Sequence, residues 1–256
     1  MLFLERTGRM KKVGLTSAAT DQTIHRVLSL LVPQQQPPII PMAFTYNEYG
    51  EEIHRLFVPA DDPGRSRIPS TDLVVYNTDK QLLQLQSQAA GPSPVYRDEF
   101  TLVVYIDGAC RGNGTPQARA SYGVYFGPGS PYNANGLLPT TLRQSSTCAE
   151  IEALAAALNT IHELCTNDLK LMFIKIATDS KFLVDAMTLH IEGWIEDGGI
   201  GSRGKKVIHY ERMKELHELL DDMEYSDDGG MIVQFWHVDR SLNEGADALA
   251  NAALDA

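Results

Sequence analysis

Residues 101–110 read TLVVYIDGAC, and this stretch decides the fold class. The apolar run from Val103 to Ile106 has the β-branched and aromatic composition of a strand that is buried on both faces. Asp107-Gly108 follows with turn chemistry, so the pattern predicts a buried strand that ends on a carboxylate. An acid at such a strand end lies at a sheet edge, where ligands collect, although a lone Asp-Gly more often marks an ordinary hairpin turn.

The residues after this strand alternate between strand and helix patterns. Apolar residues that alternate or run together predict strands, and apolar residues at helical spacing predict helices. The predicted elements are strands over 121–126 and 136–142, a helix over 148–164, a strand over 173–178, a helix from Ser180 to about residue 190, a helix over 206–223, a strand over 232–236 and a helix over 243–254. This order predicts a mixed α/β sheet with helices packed on it.

Residues 1–97 have the pattern of a poorly packed region, because proline-rich breaks recur at 33–41, 59–69 and 91–94. Such segments favour extended or turn conformations and bury little surface. Between the breaks, the sequence predicts one short helix over 21–31 and two short strands over 43–46 and 73–76. We therefore predict a partly ordered N-terminal appendage over 1–97 and a folded domain over 98–256.

The composition is that of a globular protein, with 43% hydrophobic and 21% charged residues among 256. No apolar run approaches the roughly 18 residues of a membrane span, so no membrane partner is expected. Three cysteines without a C-x-x-C pair favour a reducing compartment and argue against disulfides or zinc. We expect an intracellular protein of the nucleus or cytoplasm; the basic residues among the first twelve leave mitochondrial targeting as a weaker alternative.

The net charge of −11 is carried by the second part of the chain. Residues 1–97 contain ten Lys and Arg against nine Asp and Glu, whereas residues 98–256 contain twelve against twenty-four. Such an acidic domain gains little from phosphate attraction unless metal ions or local basic patches provide it. The charge therefore argues against a general nucleic-acid binder.

Three further acids have positions that could bring them to Asp107. Asp179 ends the FIKIAT strand, and its carboxylate meets that of Asp107 at one sheet edge if the two strands are parallel neighbours. Glu150 falls in the first turn of the first long helix, where the macrodipole favours its ionised form; an ordinary helix-start residue is the alternative. Asp247 lies among alanines on the last helix, on an apolar face or at its flank.

Four segments in order, YIDGACRGNG, TCAEIEAL, IATDSKFLV and NEGADALANAA, resemble the ribonuclease H family over about residues 100–256. The resemblance implies a mixed five-stranded α/β sheet, with three antiparallel hairpin strands, two parallel strands and helices on both faces. It also implies that four acids bind metal: Asp107, Glu150, Asp179 and Asp247. His237 lies ten residues before the last of these acids, where the family has a mobile-loop histidine that assists catalysis.

The chemistry of these acids agrees with the resemblance. Four converging carboxylates repel one another and raise each other's pKa, so the arrangement favours bound cations. Oxygen ligands suit Mg²⁺ or Mn²⁺ rather than Zn²⁺. Two such ions about 4 Å apart can activate a water and stabilise the leaving oxygen of a phosphodiester. The family assigns Asp107 to both ions and implies hydrolysis to a 5′-phosphate and a 3′-hydroxyl.

The resemblance also implies the substrate, which is the RNA strand of an RNA/DNA hybrid recognised through its 2′-hydroxyls. A glycine and an asparagine match the loop that approaches the RNA backbone, and three hydroxyl residues match the segment that contacts the DNA strand. The predicted substrate contacts are Gly112, Asn113, Ser145, Ser146, Thr147, Trp194 and His209. The protein is expected to act as a monomer.

The chain departs from the family pattern where the DNA strand would bind. His190 stands where a tryptophan is common, and the following loop carries Glu196 and Asp197 rather than a basic handle. Two alternatives therefore stay open. One is a catalytically silent module that binds hybrid or a protein partner, which the retained acids argue against; the other is a different nuclease on the same fold.

Overall fold

The computed structural model describes residues 2–4, 10–12, 45–46, 52–53, 55–89, 91, 93–168, 170–225 and 230–256. The chain divides into two compact units, Met1–Met42 and Ala43–Ala256. In the first unit, β1 (Leu2–Leu4) pairs with β2 (Met10–Lys12) in antiparallel orientation. The predicted helix over 21–31 lies outside the described residues.

The second unit contains the α/β sheet and its helices. Its strands are β3 (Thr45–Tyr46), β4 (Glu52–Ile53), β5 (Val74–Asn77), β6 (Leu82–Gln88), β7 (Val95–Arg97), β8 (Thr101–Arg111), β9 (Arg119–Tyr125), β10 (Ala134–Leu137), β11 (Phe173–Thr178) and β12 (Ile232–His237). Its α-helices are α1 (Ser146–Asn167), α2 (Lys181–Asp185), α3 (Ile191–Glu196), α4 (Tyr210–Glu224) and α5 (Glu244–Asp255). A π-helical turn, Ala186–His190, joins α2 to α3.

The sheet has the strand order β10-β9-β8-β11-β12. Strand β9 is antiparallel to both of its neighbours, β8 and β10, and β11 is parallel to both β8 and β12. The predicted fold, with three hairpin strands and two parallel strands, is confirmed. Strands β5, β6 and β7 add to the sheet through an antiparallel bridge between Leu83 of β6 and Val103 of β8.

Strand β8 is buried on both faces, as its composition predicts. Leu102, Val104 and Ile106 belong to the larger core cluster, which includes the apolar face of α1. Val103 and Tyr105, which alternate with them, belong to a second cluster on the opposite face. Because side chains alternate along a strand, this one central strand contributes buried residues to the cores on both faces of the sheet.

Helices α1 and α5 cover opposite faces of the sheet. A Cβ added at Gly108 would lie 2.3 Å from the backbone nitrogen of Glu150 in α1, and one added at Gly123 would lie 2.3 Å from the carbonyl oxygen of Ala246 in α5. Gly123 pairs with Asp107, the residue before Gly108, so the two glycines face opposite sides. Both helices approach this closely only because side chains are absent there.

Residues 55–97 lie in the same compact unit as residues 98–256. Phe57, Leu73 and Leu85 are buried in the second core cluster together with Trp236 of β12. The prolines do interrupt this region, but the short apolar runs between them pack on the sheet and need no core of their own. Residues 55–57 also pair with β12, because the Phe57 nitrogen donates to the Phe235 oxygen at 2.9 Å.

Several element ends differ from the predictions. Strand β10 lies over 134–137 rather than 136–142. Helix α1 begins at Ser146 because the Ser145 side chain accepts a hydrogen bond from the Cys148 nitrogen. The helix that Ser180 caps continues through the π-helical turn to Glu196 instead of ending near residue 190. Among the described residues, no helix has the length and apolar character needed to cross a membrane.

Candidate active site

Asp107 lies inside β8 rather than at its end, so the predicted strand end is wrong. The parallel pairing with β11 stops at Tyr105, but the antiparallel pairing with β9 continues to Arg111. Gly108 is therefore a strand residue and not part of a hairpin turn. A glycine is required at this position because α1 lies too close to leave room for a side chain. Asp107 lies beyond the end of the pairing with β11 but within the pairing with β9, so the sheet ends on one side of this residue and continues on the other.

The Asp107 carboxylate is nearly buried, with 7% of the residue exposed. Burial, which is the largest cause, and the negative charges of Asp179 and Asp247 together raise its pKa to about 6, against the opposing effects of a hydrogen bond from the Gly108 backbone and the charge of Arg240. A carboxyl group with such a pKa is costly to hold ionised without a cation. Strands β8 and β11 are parallel neighbours, as the prediction for Asp107 and Asp179 required.

Glu150 lies in the second turn of α1, so its predicted place in the first turn is wrong. Burial raises its pKa well above the ordinary value, with contributions from Asp107 and Asp179, so the expected preference for the ionised form is reversed. Burial decides the direction because the macrodipole acts mainly within the first turn. The Oε2 atom is buried and accepts no hydrogen bond from any described residue.

Asp179 directly follows β11, and its Oδ1 atom accepts a hydrogen bond of 2.9 Å from Nδ2 of Asn243. Asp247 lies in the first turn of α5 with 36% of its side chain exposed, so it occupies the flank of the helix. Its carboxylate accepts hydrogen bonds from Arg240 at 3.2 Å and from Asn251 at 3.1 Å.

His237 is the last residue of β12, and its side chain is exposed. It pairs with Thr178, the residue before Asp179, and the next residue, Val238, is buried and donates a backbone hydrogen bond to Thr178. The chain then enters a 3₁₀ turn over Arg240–Leu242. The structure therefore places this histidine on a strand and not on a loop, because the pairing with β11 extends through it.

The four acids form an electrostatically coupled group rather than a closed ligand set. Within the described part of the chain, no three or more His, Cys, Asp or Glu side chains are arranged to hold a metal ion. The pKa of Asp107 nevertheless responds to Asp179 and Asp247, and that of Glu150 responds to Asp107 and Asp179. The two observations are compatible, because small side-chain rotations change ligand distances far more than they change electrostatic coupling.

The donor chemistry of this group fits a hard divalent cation. All four side chains offer carboxylate oxygens, which Mg²⁺ and Mn²⁺ prefer. The unpartnered Oε2 atom of Glu150 is a buried acceptor that a cation would satisfy. The pKa of Asp107 is raised first by burial and then by the charges of Asp179 and Asp247, and a bound cation would favour its ionised form.

A pocket of about 450 Å³ brings together six of the seven predicted substrate contacts. Its lining consists of Asn113, Arg143, Ser145, Ser146, Thr147, Phe182, Trp194, Val207, Ile208 and His209. Gly112 is outside this lining and turns the chain before Asn113 with a φ of 65°. Asn113 also donates to the Ser146 hydroxyl at 3.2 Å, which ties the two predicted segments together.

Four residues of this pocket were missed by the sequence analysis: Arg143, Phe182, Val207 and Ile208. Arg143 is two residues before Ser145, so its place in the same segment was a usable signal. Phe182 and Ile208 are 45% and 60% exposed, which marks them as apolar residues outside the core. His209 starts α4 with a left-handed φ of 64°, and burial together with the charge of Arg143 lowers its pKa.

Comparisons with known proteins indicate the family of the chain. Residues 99–255 match the family model described as RNase H. The chain is 38% identical over 165 residues to ribonuclease H1 of Mus musculus, covering 61% of this chain and 53% of that protein. It is 31% identical over 155 residues to ribonuclease H of Crithidia fasciculata, covering 52% and 31%. The chain thus spans about half the length of the mouse relative.

Solved structures provide a further comparison. The crystal structure of LC11-RNase H1 in complex with RNA/DNA hybrid has a TM-score of 0.43 at 23% identity, with 60% of this chain and 96% of that chain covered. The RNase H1 of Halobacterium salinarum NRC-1 has a TM-score of 0.39 at 27% identity, with 60% and 98% covered.

Proposed function

The chain belongs to the ribonuclease H family, and we propose that residues 98–256 form a metal-dependent endoribonuclease that hydrolyses the RNA strand of RNA/DNA hybrids. The observation that carries this proposal is the coupled acid group around Asp107, whose pKa is raised to about 6 by burial and by its acidic neighbours. A group that holds unbalanced negative charge at a sheet edge is suited to cations that act on a phosphodiester. The products would be a 5′-phosphate and a 3′-hydroxyl.

Asp107, Glu150, Asp179 and Asp247 would hold two Mg²⁺ or Mn²⁺ ions, with Asp107 as the shared ligand. Such ions supply an activated water and neutralise the charge that develops on the phosphate oxygens. Ligation requires deprotonated carboxyl groups, so cation binding releases protons where the pKa of Asp107 is near the ambient pH.

His237 would contribute proton transfer. Its imidazole is exposed at the end of β12, beside the strand that leads into Asp179. From there it would move a proton at the leaving oxygen or assist product release. Because β12 holds its backbone in the sheet, the side chain would have to act by rotation rather than by loop movement.

The pocket around Trp194 would hold the DNA strand. Arg143 supplies a positive charge for a phosphate, and the hydroxyls of Ser145 and Thr147 supply hydrogen-bond donors. The exposed rings and aliphatic groups of Phe182 and Ile208 suit a sugar that lacks a 2′-hydroxyl. On the other strand, the turn at Gly112 and Asn113 would approach the RNA backbone, where 2′-hydroxyls distinguish RNA from DNA.

A nuclease assay tests the proposal. Labelled RNA/DNA hybrid, duplex DNA, duplex RNA and single strands are incubated side by side with Mg²⁺ or Mn²⁺, with EDTA and the Asp107→Asn variant as controls. We expect cleavage of the hybrid's RNA strand alone, with 5′-phosphate ends. Binding of the hybrid without cleavage would instead support a silent binding module, and cleavage of single strands at a comparable rate would support another nuclease on this fold.

Two further properties belong to the proposal. We propose a monomer, and gel filtration with light scattering tests this. We also propose an intracellular location in the nucleus or cytoplasm. Its support is that Cys110, Cys148 and Cys165 are all free, which suits a reducing compartment. Imaging of the tagged full chain tests the location and its mitochondrial alternative.

A further inference from the structure

We propose that Asn243 is a positioning residue that sets the relative placement of three of the four candidate metal-binding acids. This inference rests on the proposed function, because it concerns the same acids. Asn243 lies between the 3₁₀ turn after β12 and the first residue of α5, and only 1% of it is exposed.

The contacts of Asn243 reach the elements that carry these three acids. Its Nδ2 atom donates to Oδ1 of Asp179 at 2.9 Å and to the carbonyl oxygen of Ile106, the residue before Asp107, at 3.1 Å. Its own carbonyl oxygen accepts a hydrogen bond of 3.1 Å from the Asp247 nitrogen. One buried residue thus joins β8, the end of β11 and the start of α5.

The orientation of the Asn243 amide follows from its partners. The side chain of Asp179 and the carbonyl of Ile106 are both acceptors, so the group that faces them must be the amino group. The Oδ1 atom points elsewhere, is buried and has no hydrogen-bond partner among the described residues. An unsatisfied buried acceptor lowers stability, so the two hydrogen bonds that Nδ2 donates are the interactions that account for the position of this side chain.

Asn243 occupies the N-cap position of α5, but its side chain does not cap the helix. Asparagine is a favoured N-cap, because its side-chain oxygen can accept a backbone hydrogen bond from the first helical turn. Asn243 precedes α5 but makes no such capping bond. Its side chain donates instead to Ile106 of β8 and to Asp179. This is expected of a residue that positions the acids rather than one that stabilises the helix end.

A neutral donor suits this place chemically. A hydrogen bond from Asn243 fixes one carboxylate oxygen of Asp179 and leaves the second free for a cation. A lysine or arginine in the same position would compete with the cation for the carboxylate charge. The turn supports the placement, since Val238 is buried on one side and the Asn243 nitrogen donates to the Arg240 oxygen at 3.0 Å on the other.

Calorimetric titration with Mn²⁺ alone tests the inference in the full chain. Asn243→Leu keeps the approximate volume and removes both donated hydrogen bonds, and Asn243→Ala is the second variant. The matched control is Asn77→Leu, because Asn77 is equally buried and donates to Gln84 far along the chain from the acids. All three variants should lower the melting temperature in EDTA.

We expect only the Asn243 variants to weaken Mn²⁺ affinity, by about tenfold to a hundredfold, the range for residues that orient metal ligands. Unchanged Mn²⁺ affinity in a folded Asn243 variant would overturn the inference. A second measurement needs no variant: in ¹⁵N-labelled wild-type protein, the side-chain amide signal of Asn243 should shift on addition of Mg²⁺, whereas that of Asn77 should not. No shift at Asn243 would also overturn it. Wild-type protein that neither binds Mn²⁺ nor cuts hybrid would overturn the proposed function itself.

Discussion

Arg240 donates a hydrogen bond of 3.2 Å to the carboxylate of Asp247, while 81% of the arginine side chain remains exposed. The charge of Arg240 also lowers the pKa of Asp107 and of Glu150. The positively charged guanidinium of Arg240 therefore lies beside the acid group. The turn that carries it has a buried residue at each end, Val238 and Asn243. The guanidinium charge partly offsets the repulsion among the acids.

We predict that Arg240→Ala shifts the acidic limb of the pH–activity profile to higher pH. Removing the positive charge leaves Asp107 and Glu150 harder to ionise, so more protons must be displaced before a cation binds. Arg240→Lys should largely restore the wild-type profile, and the exposed Arg119 supplies a control as Arg119→Ala. The shift should shrink at high salt, because an exposed charge is screened. Superimposable profiles for Arg240→Ala and wild type would refute the prediction.

The raised pKa of Asp107 predicts how stability depends on pH in EDTA. A carboxyl group whose pKa rises from 3.8 to about 6 on folding binds protons more tightly in the folded state. Stability from this group is therefore greatest below pH 4 and is lost as pH rises through 6. The loss is roughly 3 kcal/mol, from about 1.4 kcal/mol per pKa unit.

Asp107→Asn should remove this dependence and raise the free energy of unfolding at pH 8 by a similar amount. Urea unfolding at a series of pH values from 4 to 8 in EDTA measures both effects. Asp222→Asn, a change at an exposed acid of α4, is the control. Parallel pH dependence in Asp107→Asn and wild type would contradict the pKa assignment.

Gly108→Ala should damage both stability and activity. The new methyl group would lie 2.3 Å from the Glu150 nitrogen and 2.5 Å from the Ala149 carbonyl carbon, which are backbone atoms that cannot rotate away. Helix α1 must then move from the sheet, at a cost of about 1–3 kcal/mol or more, and carry Glu150 with it. Gly193→Ala is the control, because its Cβ meets nothing within 4 Å and alanine favours a helix. Thermal melts and hybrid cleavage measure the two effects.

The local parts of the fold could be predicted because they depend on local pattern. The β-branched run before Asp107 specifies a buried strand in any context, and the FIKIAT strand was predicted to the residue. The end of β8 could not be predicted, because Asp-Gly has turn chemistry. Only the pairing with β9 and the proximity of α1 carry the strand past Gly108.

Burial and distant docking explain the remaining differences. The position of Glu150 in a helix suggests a favoured charge, yet tertiary packing buries its Oε2 atom and raises its pKa. The prolines of residues 55–97 correctly mark breaks, but the contact of Phe57 with Trp236 joins residues far apart in the chain. The resemblance covers neither the route of that segment nor the place of Arg143 in the pocket.

Truncation should distinguish the two candidate domain boundaries. Removing residues 1–42, the first compact unit, should leave the melting temperature nearly unchanged. Removing residues 1–97 also removes Phe57, Leu73 and Leu85 from the second core. Each such side chain contributes about 1.5–3 kcal/mol when buried, so the shorter chain should unfold or aggregate. A stable, soluble product over 98–256 would show instead that this segment is dispensable.

Arg143→Ala should weaken binding of hybrid without changing cation binding. Arg143 is the basic member of the pocket that holds Ser145, Thr147 and Trp194, so its loss removes a phosphate contact. We expect KM to rise about fivefold to tenfold with a small change in kcat. The slope of the logarithm of the binding constant against the logarithm of the salt concentration should decrease in magnitude by about 1, the value for one lost phosphate contact. Arg119→Ala again serves as the control, and Mn²⁺ titration of Arg143→Ala should match wild type. If KM and the salt slope both stay at wild-type values, the DNA strand does not lie in this pocket.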